Sequence, residues 1–243
     1  MKKFIILLIA ISFQYSTIQG QEEKKKKATL AVKVIQNSVA GFSTLFLGGF
    51  ETNKNFDITF YSMFWTNPSF GNLQSGSDQL LETGIGLGFK LMDGNLFLNP
   101  GIGFGHGKFF SDVAGTKIGE AVIPNTFVAY HDSIFDIEAY FAYYKSLRDK
   151  EDISTRDLLL FWAAPGINVS DRLVLGGFFE ELAFMNLEND DVNKNIQVYR
   201  YLGGSVKLKL DSGMAFRFSA GANLVTDVGA SDEFYKVSAF IPF

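Results

Sequence analysis

Two histidines and no cysteine leave few groups able to act as nucleophile, base or metal ligand. His131 stands two residues before Ser133, a spacing that could bring an imidazole to a hydroxyl. His106 has Lys108 at the same distance, which offers no hydroxyl. With no thiolate and no clustered histidines, a metal site is not expected. The string Gly101-Ile102-Gly103-Phe104-Gly105 repeats every second residue. A phosphate loop instead needs GxGxxG opening a helix. No cofactor is therefore expected. What remains is the chemistry of charge: 26 acidic and 22 basic residues, net −4, with no basic patch to suggest nucleic acid.

These charges fall at alternate positions of stretches about ten residues long. From Phe56 to Phe64 the even positions are Phe, Ile, Phe, Ser, Phe, while Asp57, Tyr61 and Trp65 lie opposite. From Leu81 to Leu91 an apolar row faces Glu82, Gly84, Gly86, Gly88 and Lys90. From Phe135 to Tyr143 the apolar row faces Asp136, Glu138, Tyr140 and Tyr144, and Met214–Leu224 sets Arg217 and Ser219 against another. Such alternation builds a two-faced strand. Glycine and aromatic residues on the polar faces are unlike a solvated surface.

Ahead of these strands, Lys2 and Lys3 precede the apolar run Phe4–Phe13, with Gly20 as a small residue before a cut. Residues 1–20 read as a secretory signal, too short to span as a helix. Residues 21–27 read as a charged periplasmic tether and 28–243 as the folded unit. An exported chain with no later helical span is either soluble or a barrel. The pattern predicts twelve strands near 28–36, 41–51, 56–65, 80–91, 95–107, 120–131, 134–145, 157–168, 172–186, 195–210, 213–225 and 234–243. After the first hairpin, short and long links alternate, as in a barrel with periplasmic turns and outer loops. An even number keeps both termini in the periplasm, so ten strands would also serve. The fold class expected is all-β: a transmembrane antiparallel up-and-down barrel.

The chain ends on Phe243, and Ile241, Ala239, Val237 and Tyr235 step back from it at every second position. This row resembles the terminal signal by which outer-membrane proteins are recognised for barrel assembly. It implies outer-membrane lipid and the assembly machinery as partners, in a gram-negative outer membrane. Size and strand number resemble the small twelve-stranded substrate-specific channels, among them the nucleoside-channel family.

On that reading the polar faces line a lumen. Its expected walls include Asp57, Glu82, Asp136, Glu138, Tyr140, Trp162, Arg172, Glu180, Gln197, Tyr199, Lys207 and Arg217. Acidic residues gather on strands three, four, seven and nine, basic ones on ten to twelve, and opposed walls would set a transverse field. In the same register Arg200 meets lipid, which points to a bulge or a register error in strand ten. Three functions remain. The first is a passive channel for small polar solutes. The second is a non-conducting structural or surface-interaction barrel. The third, a lipid-modifying enzyme, follows the His-x-Ser pair that outer-membrane lipases and deacylases carry near the outer rim. The predicted topology places His131 and Ser133 at the opposite, periplasmic end.

Overall fold

A computed structural model describes residues 28–38, 41–52, 56–65, 80–106, 119–148, 155–189, 192–225 and 231–243, and the two segments read as signal and tether lie outside them. Twelve strands form one closed barrel: β1 (Ala28–Asn37), β2 (Gly41–Glu51), β3 (Phe56–Trp65), β4 (Leu80–Leu91), β5 (Leu96–His106), β6 (Ala121–His131), β7 (Phe135–Ser146), β8 (Asp157–Asn168), β9 (Leu173–Asn189), β10 (Val192–Lys209), β11 (Ala215–Asn223) and β12 (Glu233–Pro242). Each pairs antiparallel with its sequence neighbours, and β12 pairs with β1 to close the ring. Closure removes every edge, so all backbone groups of the ladder can be satisfied without water. Among the described residues no helix is long and apolar enough to cross a membrane; this barrel crosses with its strands.

The outward faces carry the apolar rows. Phe46, Phe60, Ile85, Ile102, Phe141, Leu202 and Phe218 are exposed around the wall. A belt of this kind is placed in lipid. The terminal row lies on the same face: Tyr235 and Val237 point outward, and Phe243 donates its N–H to Leu30 O at 2.9 Å.

The start of β1, the end of β12 and the short links share one end of the barrel, the inner end. Met92 and Asp93 lie in the β4–β5 link, both with positive φ. A second link carries Asp132, whose side chain accepts from Ile134 N at 2.7 Å and from Phe135 N. The Phe135 and Ile134 amides, with the Tyr130 hydroxyl, hold the Asp132 carboxyl below the usual carboxylate range.

Two features differ from the sequence reading. The segment read as a long polar loop, 186–194, is mostly strand, so β9 and β10 extend as one hairpin beyond their neighbours. The register between them shifts at Lys194/Ile196 and at Gln197/Tyr199. The second shift turns Gln197 out of the lumen, where its amide donates to Glu181 Oε1 at 3.3 Å. It does not turn Arg200 inward. Arg200 stays on the outer face and donates two hydrogen bonds to Glu181, at 2.9 and 3.1 Å. From Lys209 at the inner end to Arg200 a tilted strand climbs about 23 Å, close to the full height of the apolar band. Arg200 therefore meets the headgroup boundary, where an outward charge costs little.

Candidate lumen site

Twelve strands spaced by about 4.8 Å and tilted by about 40° close on a backbone diameter of about 24 Å. Long side chains from opposite walls can meet across that width, and here they do. Lys33 on β1 lies 5.5 Å from the ring centre of Trp162 on β8, almost the far side of the ring of strands. Trp162 also packs with Tyr140 at 6.3 Å and Phe127 at 6.2 Å.

The inner half holds the charges. Strand direction raises Asp136 and Glu138 from the start of β7 and lowers Lys207 towards the end of β10. Lys207 Nζ donates to Asp136 Oδ1 at 2.9 Å and Glu138 Oε1 at 2.7 Å. Arg217 donates to Glu138 Oε2 at 3.0 Å. β7 and β10 are separated by β8 and β9, so these bonds cut across the lumen rather than along its wall. Their side chains are mostly withdrawn from solvent: Lys207 is 11% exposed, Arg217 12% and Glu138 13%. Beside them Gly166 and Gly176 leave a cavity of about 10 Å³, the room of one water.

The outer half is packed with rings and aliphatic groups. Glu180 accepts from Tyr199 at 2.9 Å and pairs with Lys236. Tyr199, Tyr201 and Phe234 stack in parallel, 4.2 and 4.4 Å between ring centres. On the facing wall Glu82, 1% exposed, accepts from Tyr61 at 2.7 Å and Tyr144 at 3.1 Å. Ile123, Leu158 and Ala142 pack beside them, fully buried. The glycine wall of β4 and β5 is covered by side chains laid flat on backbone. A Cβ at Gly84 would fall 2.3 Å from the Tyr61 ring, and one at Gly88 2.7 Å from Phe97.

Of the expected wall residues, Asp136, Glu138, Lys207 and Arg217 come together, Glu180 and Tyr199 form a second group, and Glu82 and Tyr140 belong to the aromatic side. Asp57 sits apart at the inner mouth, 3.0 Å from Lys90. Arg172 is not in the lumen; it lies in the β8–β9 link and pairs with Asp211. Lys33, Asn37, Asn125 and Phe127 are lumen residues the pattern does not single out. Alternation in β1 is blurred by Val32 and Val34 outside and Ala31 and Ile35 inside, and Lys33 is the only charge in the strand that could orient it.

The histidine of the histidine–serine pair is engaged elsewhere. His131 Nδ1 lies 3.2 Å from Asp136 Oδ2, its cross-strand neighbour. Among the described residues no hydrogen bond joins it to Ser133, which sits in an inner-end link. No group of three metal-ligating side chains occurs among the described residues.

A model described as a family of unknown function (DUF6733) matches residues 1–243. A search of curated proteins finds no match. Among solved structures, the COG4313 outer membrane channel from Pseudomonas putida F1 aligns with a TM-score of 0.56 at 11% identity, covering 93% of this chain and 100% of that one. The NanC porin aligns with a TM-score of 0.50 at 11% identity, covering 88% and 98%. At this identity the likeness is one of fold, and the fold is that of a twelve-stranded outer-membrane porin.

Proposed function

We propose that this chain, which belongs to the DUF6733 family, is a narrow passive channel for small polar solutes in a gram-negative outer membrane, with its inner end in the periplasm. The supporting observation is the ion cluster of Asp136, Glu138, Lys207 and Arg217 strung across the lumen. Withdrawing ions from water costs several kcal/mol each, and apolar packing of the same volume would stabilise a mere plug better. Opposed charges at a narrow point instead set a local potential that selects among solutes. The test is conductance in planar bilayers. Arg217→Glu should move the reversal potential in a salt gradient towards cations, because a fixed charge at the constriction governs the local field. An unchanged reversal potential in a conducting barrel would remove Arg217 from the pathway.

The fully buried outer cluster around Ile123 and Leu158 favours a second reading, a filled barrel with a structural or surface-interaction role. Correctly folded protein that never conducts would decide for it.

Residence in the outer membrane carries its own expectation. The protein should fractionate with outer membranes and run with heat-modifiable mobility. Deletion of Phe243, or Val237→Asp, should lower membrane levels. The first removes the terminal aromatic and the second puts a charge on the lipid-facing row. Normal levels of both variants would make the terminal row incidental.

A further inference from the structure

The charges inside the barrel do not balance. Lys207 and Arg217 share Asp136 and Glu138, Lys209 lies 3.7 Å from Asp136, and Lys236 pairs with Glu180. Lys33 has no such partner: among the described residues no carboxylate lies within ion-pair distance of it, and its ammonium sits over the Trp162 ring. Glu138 is the carboxylate whose field reaches Lys33, while Arg217, Lys236 and Lys207 add like charge. Both Glu138 oxygens are already taken, one by Lys207 at 2.7 Å and one by Arg217 at 3.0 Å. Five cations thus face four carboxylates, and one of the four, Glu82, is engaged on the far wall by two tyrosine hydroxyls. Lys33 is only half-buried, so its ammonium stays open to the lumen; without a counter-charge even partial withdrawal from water is costly, and a ring face repays only part of that cost.

We propose that Lys33 is the anion-binding and selectivity-determining residue of the lumen, taking a small monoanion such as a carboxylate on the side of its ammonium away from Trp162. The inference rests on the channel reading for its role in permeation, but not for the binding itself. Three features of the chemistry agree. Among the described residues no group accepts a hydrogen bond from the ammonium. The surrounding charge is net positive. The flat indole and Tyr140 provide an apolar surface for the body of a short organic acid.

Two measurements on the full chain test this. In bilayers, wild type should prefer chloride over potassium. Lys33→Gln should cut that preference by about threefold, the effect of one kT of local potential, with conductance retained. Lys33→Arg should keep the preference, and heat-modifiable mobility should show that both variants fold. In detergent, acetate titrated by calorimetry should bind wild type and Lys33→Arg but not Lys33→Gln. A conducting wild type that prefers potassium, or an unchanged ratio in Lys33→Gln, overturns the proposal and leaves the channel standing. Absent conductance with Lys33-dependent acetate binding overturns the channel and keeps the site. Acetate binding that is absent, or that survives in Lys33→Gln, overturns the site.

Discussion

Gly203→Ala is expected to prevent or severely weaken barrel formation, while Gly204→Ala at the adjacent position is expected to be silent. Gly203 faces the lumen opposite Gly221 on β11. A Cβ there would lie 2.1 Å from Ala220 O and 2.7 Å from Gly221 Cα. These are backbone atoms of the partner strand, so no rotamer change can make room. Overpacking of movable side chains costs about 1–3 kcal/mol, and this collision should exceed that range because relief requires breaking ladder hydrogen bonds. Gly176 repeats the situation on β9, where a Cβ would lie 2.0 Å from Pro165 O, and it pairs with Gly166. At such pairs the partner backbone itself occupies the place a side chain would take. Gly204 faces outward, and a Cβ added to it would meet nothing within 4 Å. The comparison is read by heat-modifiable mobility and by urea unfolding in lipid vesicles. Equal behaviour of Gly203→Ala and Gly204→Ala would show that the strands can separate at this glycine pair without loss.

The barrel is legible in the sequence because lipid and lumen impose opposite demands on alternate residues. Strands 56–65, 80–91 and 157–168 can be placed to the residue, since each carries an apolar row, interrupted in the first two only by Ser62 and Thr83, and a strong punctuation at both ends. The same logic assigns Asp136, Glu138, Lys207 and Arg217 to one half of the lumen, because strand direction follows from link parity. It fails where local pattern and pairing separate. Polar composition at 186–194 reads as a loop, yet backbone pairing continues there because beyond the membrane the alternation rule no longer applies. The shift at Gln197/Tyr199 inverts one face, and only the partner strand reveals it. Arg200 reads as an error in register, whereas Glu181 supplies its counter-charge at the boundary. Lys33 escapes because β1 is apolar on both faces. Nor can one-strand patterns show that its partners lie across the ring rather than beside it.

Lys207→Met should destabilise the barrel by about 3–5 kcal/mol if the inner cluster is dry, the usual cost of leaving a buried carboxylate without its partner. Lys207 links two acids at once, Asp136 at 2.9 Å and Glu138 at 2.7 Å, so both lose a donor. Arg217 at 3.0 Å from Glu138 and His131 at 3.2 Å from Asp136 soften the loss and favour the lower end of that range. A second change, Glu138→Gln, removes one of the stranded charges. The double variant should therefore be more stable than the sum of the single effects, with a coupling of about 0.5–3 kcal/mol. Urea unfolding in vesicles measures all four corners of this cycle. The outcome also bears on transport. Strong coupling means that water is excluded between the walls, so a passing solute must displace the ion pairs to proceed. Coupling near zero means that the same ions are solvated, as exposed pairs are. The Lys207 cluster would then be a wet charged ring, through which ions move without breaking the Lys207–Glu138 contact.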